Sequence, residues 1–332
     1  MVDIEINPFN DPYYNKEYIS LYLNEGDEII EFSYSENGKI FYNVGIKRRI
    51  TSINNVLIDD PYYDVETVYG YGGFYTKTHD NSFLDKAVKL YKEFCIENRI
   101  VAEFIRFNPL NPYIGHLSNY LDFFEHNRDV VVVDLNLKEE ILKNYSSRTR
   151  DYIRKLLKDN SYKTEILEAE DSKNKMVEKF YDLYYQTMQK NNAEKFYFFD
   201  KYYFKGLNKL SFGKLFVVYK DDEIISMAYF LEGDKVAYYH LSANDPLKYN
   251  LRGNYLALHE AINYYAFIKK KYLILGGGRS KGPDDGLFVF KRKFSKKTLP
   301  FYIGGKIYIE DKYKEFCNLS RLNENKFLKY RA

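Results

Sequence analysis

The sequence predicts an α/β protein of two tandem domains, each a mixed sheet with helices. Three observations predict it. The chain has 332 residues, enough for two domains of ordinary size with separate cores. Its first half alternates short apolar-polar runs with a segment of helical period. Its second half reads helix, helix, three antiparallel strands, helix, strand, helix, hairpin.

In the first half, Glu28 to Tyr34 and Lys39 to Val44 flank Glu36-Asn37-Gly38, which reads as a hairpin with an Asn-Gly turn. A strand is expected over Ile53 to Ile58. From Asn81 to Asn98, the residues Phe83, Leu84, Ala87, Val88, Tyr91 and Cys95 recur at helical spacing. Strands are expected near Val101 to Phe107 and Asp129 to Leu135. Leu137 to Leu157 reads as the helix that connects the halves, with Ile141, Tyr145, Thr149, Tyr152 and Leu156 on one face. Arg150, Arg154 and Lys158 make a second, basic stripe.

In the second half, helices are expected over Asn174 to Asn191 and Phe199 to Lys209. Strands follow at Leu215 to Tyr219, Glu223 to Leu231 and Lys235 to Ala243, separated by tight polar turns. Asn254 to Lys269 and Asp285 to Phe294 read as helices around the buried strand Tyr272 to Leu275. A last hairpin is expected around Gly304-Gly305, and Asp311 to Lys329 reads as one more helix. The domains are placed at 1–137 and 138–310, with 311–332 free to return to the first.

Composition narrows the function. Hydrophobic residues at 45% with 29% charged residues describe a globular chain, and a net charge of +3 excludes a bulk nucleic-acid binder. The 36 Tyr and 25 Phe are too many for any one tyrosine to signal function by itself. Cys95 and Cys317 have no second ligand at metal spacing, so neither a disulfide framework nor a bound metal is expected. The first residues, Met1-Val2-Asp3-Ile4-Glu5, carry no signal-peptide pattern, and no apolar run reaches the length of a membrane span. A cytoplasmic location is expected. From Lys269 to Lys297 there are ten Lys or Arg against two acids. A solvated basic face and a patch for a phosphate-bearing ligand both fit that run.

The sharpest motif is Leu275-Gly276-Gly277-Gly278-Arg279-Ser280 followed by Asp284-Asp285-Gly286-Leu287-Phe288 and Phe290-Lys291-Arg292-Lys293-Phe294. Glycines after a buried strand let backbone approach a ligand, and their N–H groups bind anions. In the following helix Leu287, Phe290 and Phe294 form an apolar face with Lys291 at its margin. Such a lysine either snorkels to solvent or meets an anion at a cleft wall.

This segment resembles the C-terminal signature of FemAB-like acyltransferases of the GNAT superfamily. Asp60-Pro61-Tyr62-Tyr63-Asp64-Val65-Glu66-Thr67-Val68-Tyr69-Gly70-Tyr71-Gly72-Gly73 resembles a motif of that group's first domain. Ser147-Arg148-Thr149-Arg150 through Ile153-Arg154-Lys155-Leu156 resembles the basic helix opening its second. The resemblance implies two GNAT-like domains and transfer of an acyl group to an amine. It implies Lys291 as the cation that stabilises the oxyanion.

His240, on a strand with Tyr238 and Ser242, is a candidate base or relay, although a strand histidine is commonly structural. Asp64 and Glu66 are further candidate bases. Substrate binding is expected from Tyr69, Tyr71 and Gly72 of the first half and from Arg150, Arg154 and Arg279 of the second. Donor binding is expected from Arg252, Gly253 and Asn254, where Asn250-Leu251-Arg252-Gly253-Asn254-Tyr255 partly matches the GNAT pyrophosphate loop. It departs at Asn250 and Tyr255. The first expectation is an acyl-CoA cosubstrate and an envelope-sugar or nucleotide-sugar acceptor, small or lipid-linked. The second is an aminoacyl-tRNA donor and a peptidoglycan precursor, and a third is a non-catalytic glycan- or anion-binding module.

Overall fold

A computed structural model describes residues 7–136, 141–320 and 326–331. The chain forms two compact units, one of residues 1–9, 13–127 and 300–332, the other of residues 10–12 and 128–299.

The first unit begins with α1 (Lys16–Ser20), capped by the side chain of Asn15. The hairpin β1 (Glu28–Glu36) and β2 (Lys39–Arg49) follows. Its turn residues Asn37 and Gly38 have φ of 51° and 75°, the left-handed pair that a two-residue turn needs. The expected strand over 53–58 is instead a small hairpin, β3 (Ser52–Ile53) and β4 (Val56–Leu57), turning at Asn54-Asn55. After β5 (Tyr63–Glu66) and β6 (Tyr75–Thr76), Asp80 caps α2 (Asn81–Glu97) through the N–H of Phe83. β7 (Ile100–Arg106) and the short α3 (Ile114–Leu117) precede β8 (Phe123–Asp134).

The chain passes into the second unit inside β8, at residues 127/128. The expected connecting helix is therefore not the crossing. Of its span, 137–140 lie outside the described residues, and the rest is two helices, α4 (Ile141–Asn144) and α5 (Ser147–Lys158). Ser146 caps α5 by accepting from the N–H of Thr149. β9 (Tyr162–Leu167) comes next. The helix expected over 174–191 is present as α7 (Val177–Lys190), preceded by a separate short helix that was not expected, α6 (Glu170–Asn174). In α6, buried Lys173 donates to the carbonyls of Leu210 and Gly213, at 3.1 and 2.8 Å.

α8 (Lys201–Lys209), β10 (Gly213–Lys220), β11 (Glu223–Glu232) and β12 (Val236–Asn244) follow as read from the sequence. So do α9 (Gly253–Phe267), β13 (Tyr272–Gly276) and α10 (Gly286–Arg292). The strand order of this unit is β8-β13-β12-β11-β10-β9. α5 and α9 bury Ile153, Leu258, Ile262 and Tyr265 against Phe216, Phe230 and Leu273 of the sheet. Neighbouring strand residues point the other way, and Phe180 of α7 packs 4.7 Å from the ring of Tyr229.

The chain returns within β14 (Thr298–Ile307) and ends with α11 (Glu310–Leu319). The hairpin expected at Gly304-Gly305 is one uninterrupted strand. Those glycines serve close approach: a Cβ on Gly304 would lie 2.7 Å from Leu121 and one on Gly305 2.5 Å from Phe327. The expected final helix stops at Leu319, with 321–325 outside the described residues. In the first unit β1-β2-β5-β7-β14 is the strand order, with β5 and β7 parallel. Phe316, Leu328 and Tyr330 pack there with Ile50 and Val101, so the C-terminal segment does belong to this unit.

Candidate active site

In the second unit β12 and β13 run parallel and pair only from Val236↔Tyr272 to Tyr238↔Ile274. β12 continues to Asn244. Across β11 its register jumps from Tyr239 to Leu241, so His240 is the extra residue of a bulge. The two strands thus part into a fork, and a fork leaves strand-edge amides and carbonyls for an extended ligand.

The glycine loop closes one side of this fork. Gly276 has φ of +80°. A Cβ on Gly277 would lie 2.8 Å from Arg128, and one on Gly278 2.4 Å from Asp285, so neither position has room for a side chain. The loop's anion cradle is filled from within. The carboxylate of Asp285 accepts from the N–H groups of Arg279, Ser280, Leu287 and Phe288 at 2.9–3.1 Å and from the Ser280 hydroxyl at 3.1 Å. These bonds outweigh its partial burial and hold its pKa down at about 2. The free anion site expected of the loop is therefore occupied by the chain's own carboxylate.

Lys291 lies behind that loop. Its ammonium is buried and donates to the carbonyl of Gly277 at 2.8 Å, with Nζ 5.8 Å from the ring centre of Tyr239 on β12. Burial pushes its pKa down to about 7; the negative charge of Asp285 resists the shift and the positive charge of Arg128 adds to it. The reading of α10 needs one correction, since Leu287 is 36% exposed and Phe294, just past the helix, is the residue wholly buried.

The other expected residues fall into three groups. His240 meets the hydroxyl of Tyr203 through Nε2 at 2.7 Å, and burial lowers its pKa to about 3, far too weak a base for work near neutrality. Arg150 spends its guanidinium on the carbonyls of Tyr145 and Lys143, and Arg279 donates to the carbonyl of Asn191. Arg154 is exposed and pairs loosely with Asp151 at 3.5 Å. Arg252, at φ 55°, starts α9 and lays its guanidinium 3.6 Å over the ring of Tyr152. Gly253 lets the helix start press on β11, where a Cβ would come within 2.8 Å of Ser226. Asn254 follows in the first turn. Tyr255, the bulky departure from the pyrophosphate-loop pattern, meets Phe290 edge-on with ring centres 5.1 Å apart, and its hydroxyl accepts from Lys293 Nζ at 3.0 Å.

In the first unit the carbonyl of Tyr69 accepts from Tyr18, and Tyr71 packs edge-on to Tyr13 and Phe301. Gly72 bridges to Phe107. Asp64 is not poised as a base there, being buried under a two-point contact with Arg331.

Sequence reasoning missed Arg128, which donates to the carbonyls of Gly278 and Arg279 at 2.6 and 3.1 Å and fixes the loop. No local signal marks a contact across so many residues. Asp285 carried one, an aspartate directly before a helical run.

Residues 143–281 match the family model of the acetyltransferase (GNAT) domain. The chain carries a GNAT acyltransferase domain. Its function is therefore acyl transfer in the broad sense. FemX shares the fold over 95% of this chain and 99% of its own, with a TM-score of 0.70 at 12% identity. The C-terminal domain of a putative lysylphosphatidylglycerol synthetase from Agrobacterium fabrum aligns over 83% of this chain and 84% of its own, with a TM-score of 0.52 at 16% identity. The L-PGS structure from Bacillus licheniformis aligns over the same shares, with a TM-score of 0.52 at 11% identity. The FemAB-like resemblance of the sequence thus holds at the level of fold. No curated protein matches the chain. Among the described residues no helix is long and apolar enough to cross a membrane, and no His, Cys, Asp and Glu group could hold a metal ion.

Proposed function

We propose that the GNAT domain transfers an acyl group from an acyl-CoA to an amino group of an envelope-sugar or nucleotide-sugar precursor, with Lys291 as the cation at the reacting carbonyl. The carrying observation is the buried ammonium at the fork, held by the Gly277 carbonyl without an ion pair among the described residues. When the acceptor amine attacks a thioester, negative charge grows on the carbonyl oxygen, and a preplaced cation lowers that barrier. The carbon–sulfur bond breaks as the amide bond forms, and the proton the amine gives up ends on the leaving thiolate, so the products are amide and free thiol. His240 has no part in this reading, because its pKa keeps it neutral and weakly basic.

Donor phosphates are assigned to the start of α9. Arg252 lies there on Tyr152, and Lys293 lies 5.6 Å from the ring centre of Tyr255. The bulk of Tyr255 is taken up by Phe290 and Phe294, so it is no bar to a phosphate at the helix start. Tyr69, Tyr71 and Gly72 keep their assignment as acceptor-binding residues, and so does exposed Arg154. Arg150 and Arg279 lose theirs to the carbonyls they already serve.

One observation favours a second donor, an aminoacyl-tRNA. Besides Arg154, α5 exposes Arg148, Lys155 and Lys158, a longer basic stripe than the phosphates of a coenzyme would engage. The test is amide formation on amino sugars and on a peptidoglycan precursor, with labelled acetyl-CoA and with charged tRNA as donors. The proposal expects product from acetyl-CoA, with KM raised at least tenfold by Arg252→Ala. Product from charged tRNA alone installs the second reading, and no product from either donor defeats both.

A further inference from the structure

We propose that the second unit carries a separate binding site for an acidic saccharide, in the cavity between α6, α7 and α8. The cavity has a volume of about 490 Å3 and is lined by Glu170, Asn174, Val177, Tyr202, Lys205, Gly206 and Lys209. That volume lies within the range of small-ligand sites. None of these residues belongs to the fork, the glycine loop or the start of α9.

Tyr202 is the first unusual feature. α8 buries Tyr203, Phe204 and Leu207 in the core, yet Tyr202 is 81% exposed. Lys205 Nζ lies over the ring, 5.9 Å from its centre, and the exposed remainder of the ring at the mouth of the cavity offers an apolar surface with a polar tip, which suits the C–H face of a sugar ring. Beside it, Lys205 and Lys209 are four residues apart and share one helical face. Among the described residues neither forms an ion pair, while neighbouring Lys201 pairs with Glu178. Two adjacent unneutralised ammonium groups repel each other, and a carboxylate or phosphate between them removes that cost.

The other wall is built for hydroxyl groups. Asn174 is held by a relay from the core: Tyr229 donates to Asn208, and the buried Asn208 amide donates to Asn174 Oδ1 at 3.0 Å. The Asn174 amide nitrogen in turn donates to the Glu170 carboxylate at 3.5 Å, leaving its second N–H and the other carboxylate oxygen beside the cavity that both residues line. An amide donor next to a carboxylate acceptor matches the vicinal hydroxyls of a sugar. Gly206 completes the arrangement. It stands inside α8, where glycine costs about 1 kcal/mol relative to alanine, and it lines the cavity.

An aromatic platform, paired lysines and an oriented amide-carboxylate pair together specify a saccharide bearing negative charge. The site would hold a glycan on residues separate from those at the reacting carbonyl, so its occupancy does not require turnover.

The experiment is saturation-transfer NMR and calorimetry on the full chain. The probes are a uronic-acid tetrasaccharide, a neutral glucose tetrasaccharide and inorganic phosphate. The uronate is expected to bind, at least tenfold more tightly than the neutral sugar. Tyr202→Ala and the double variant Lys205→Ala/Lys209→Ala should each weaken it at least tenfold, and Gly206→Leu should abolish it. Lys291→Met should leave it unchanged, which separates this site from the transfer chemistry. The proposal is overturned if the uronate does not bind, if Tyr202→Ala leaves its affinity intact, or if phosphate binds as tightly. Because Tyr202, Lys205 and Lys209 are not buried, these variants keep the fold, and matching melting temperatures check that they do.

Discussion

Asp285 grips Ser280 twice, accepting from its backbone N–H at 3.0 Å and from its hydroxyl at 3.1 Å. The same carboxylate caps α10, so one side chain sets both the glycine loop and the helix that carries Lys291. Asp285→Ala should cost about 0.5–2 kcal/mol, the usual loss of a helix cap. It should also empty the N–H cradle. Added sulfate is then expected to raise the melting temperature of the variant more than that of the parent. Equal sulfate responses would show that the loop does not keep its cradle without Asp285.

Arg331 closes the first unit on Asp64. Its Nε and Nη2 meet the two carboxylate oxygens at 2.7 and 3.0 Å, and Nη2 also reaches the carbonyls of Arg48 and Arg49. Asp64 is wholly buried, and burial raises its pKa to about 6 even against the pull of Arg331. Arg331→Ala leaves that carboxyl group without its partner, and a loss of roughly 3–5 kcal/mol is expected at neutral pH. Without Arg331 the folded carboxyl takes up its proton above about 6, so the loss should shrink as pH falls toward that value and stay small below it. Chemical denaturation at pH 5 and pH 8 measures both, and a loss independent of pH would contradict the assignment.

Glu103 makes a second pH-linked feature. It is buried and accepts from Asn43, Tyr91 and Tyr308 at 2.6, 2.9 and 2.6 Å, while burial raises its pKa. With the folded pKa above the unfolded one, the folded state holds the proton more tightly. Its contribution is then present at low pH and fades as pH rises from about 4.5 through the folded value. Glu103→Gln should flatten that part of the stability curve, and an unchanged slope would refute the assignment.

The features legible in the sequence are those set by neighbours in the chain. Asn37-Gly38 announced its turn because those residues accept positive φ, and Phe83, Ala87 and Tyr91 announced α2 by their spacing. Gly304-Gly305 misled for the opposite reason. Glycine there makes room for Leu121 and Phe327, partners that local sequence does not name. The short α6 had no such local signal, and its buried Lys173 is held by the carbonyls of Leu210 and Gly213, again at long range. At the candidate site the same line divides the outcome. The glycine loop, the helix and Lys291 were visible as a motif. The filling of the loop by Asp285 and its fixing by Arg128 depend on contacts that only the folded chain displays.

Lys291 is the residue on which the proposed transfer chemistry depends. Its pKa of about 7 means that the ammonium loses its proton as pH rises through neutrality, so cation-assisted turnover should fall on the alkaline side of about 7. The most direct measurement is single-turnover acyl transfer by Lys291→Met beside the parent across that pH range, with melting temperatures matched. Loss of a single oxyanion donor costs roughly 2.7–4 kcal/mol, about a hundred- to a thousandfold in rate. The account predicts a loss of that size at pH 6.5 and disappearance of the alkaline decline in the variant. Turnover within about threefold of the parent, far below that cost, with the decline intact, would contradict it.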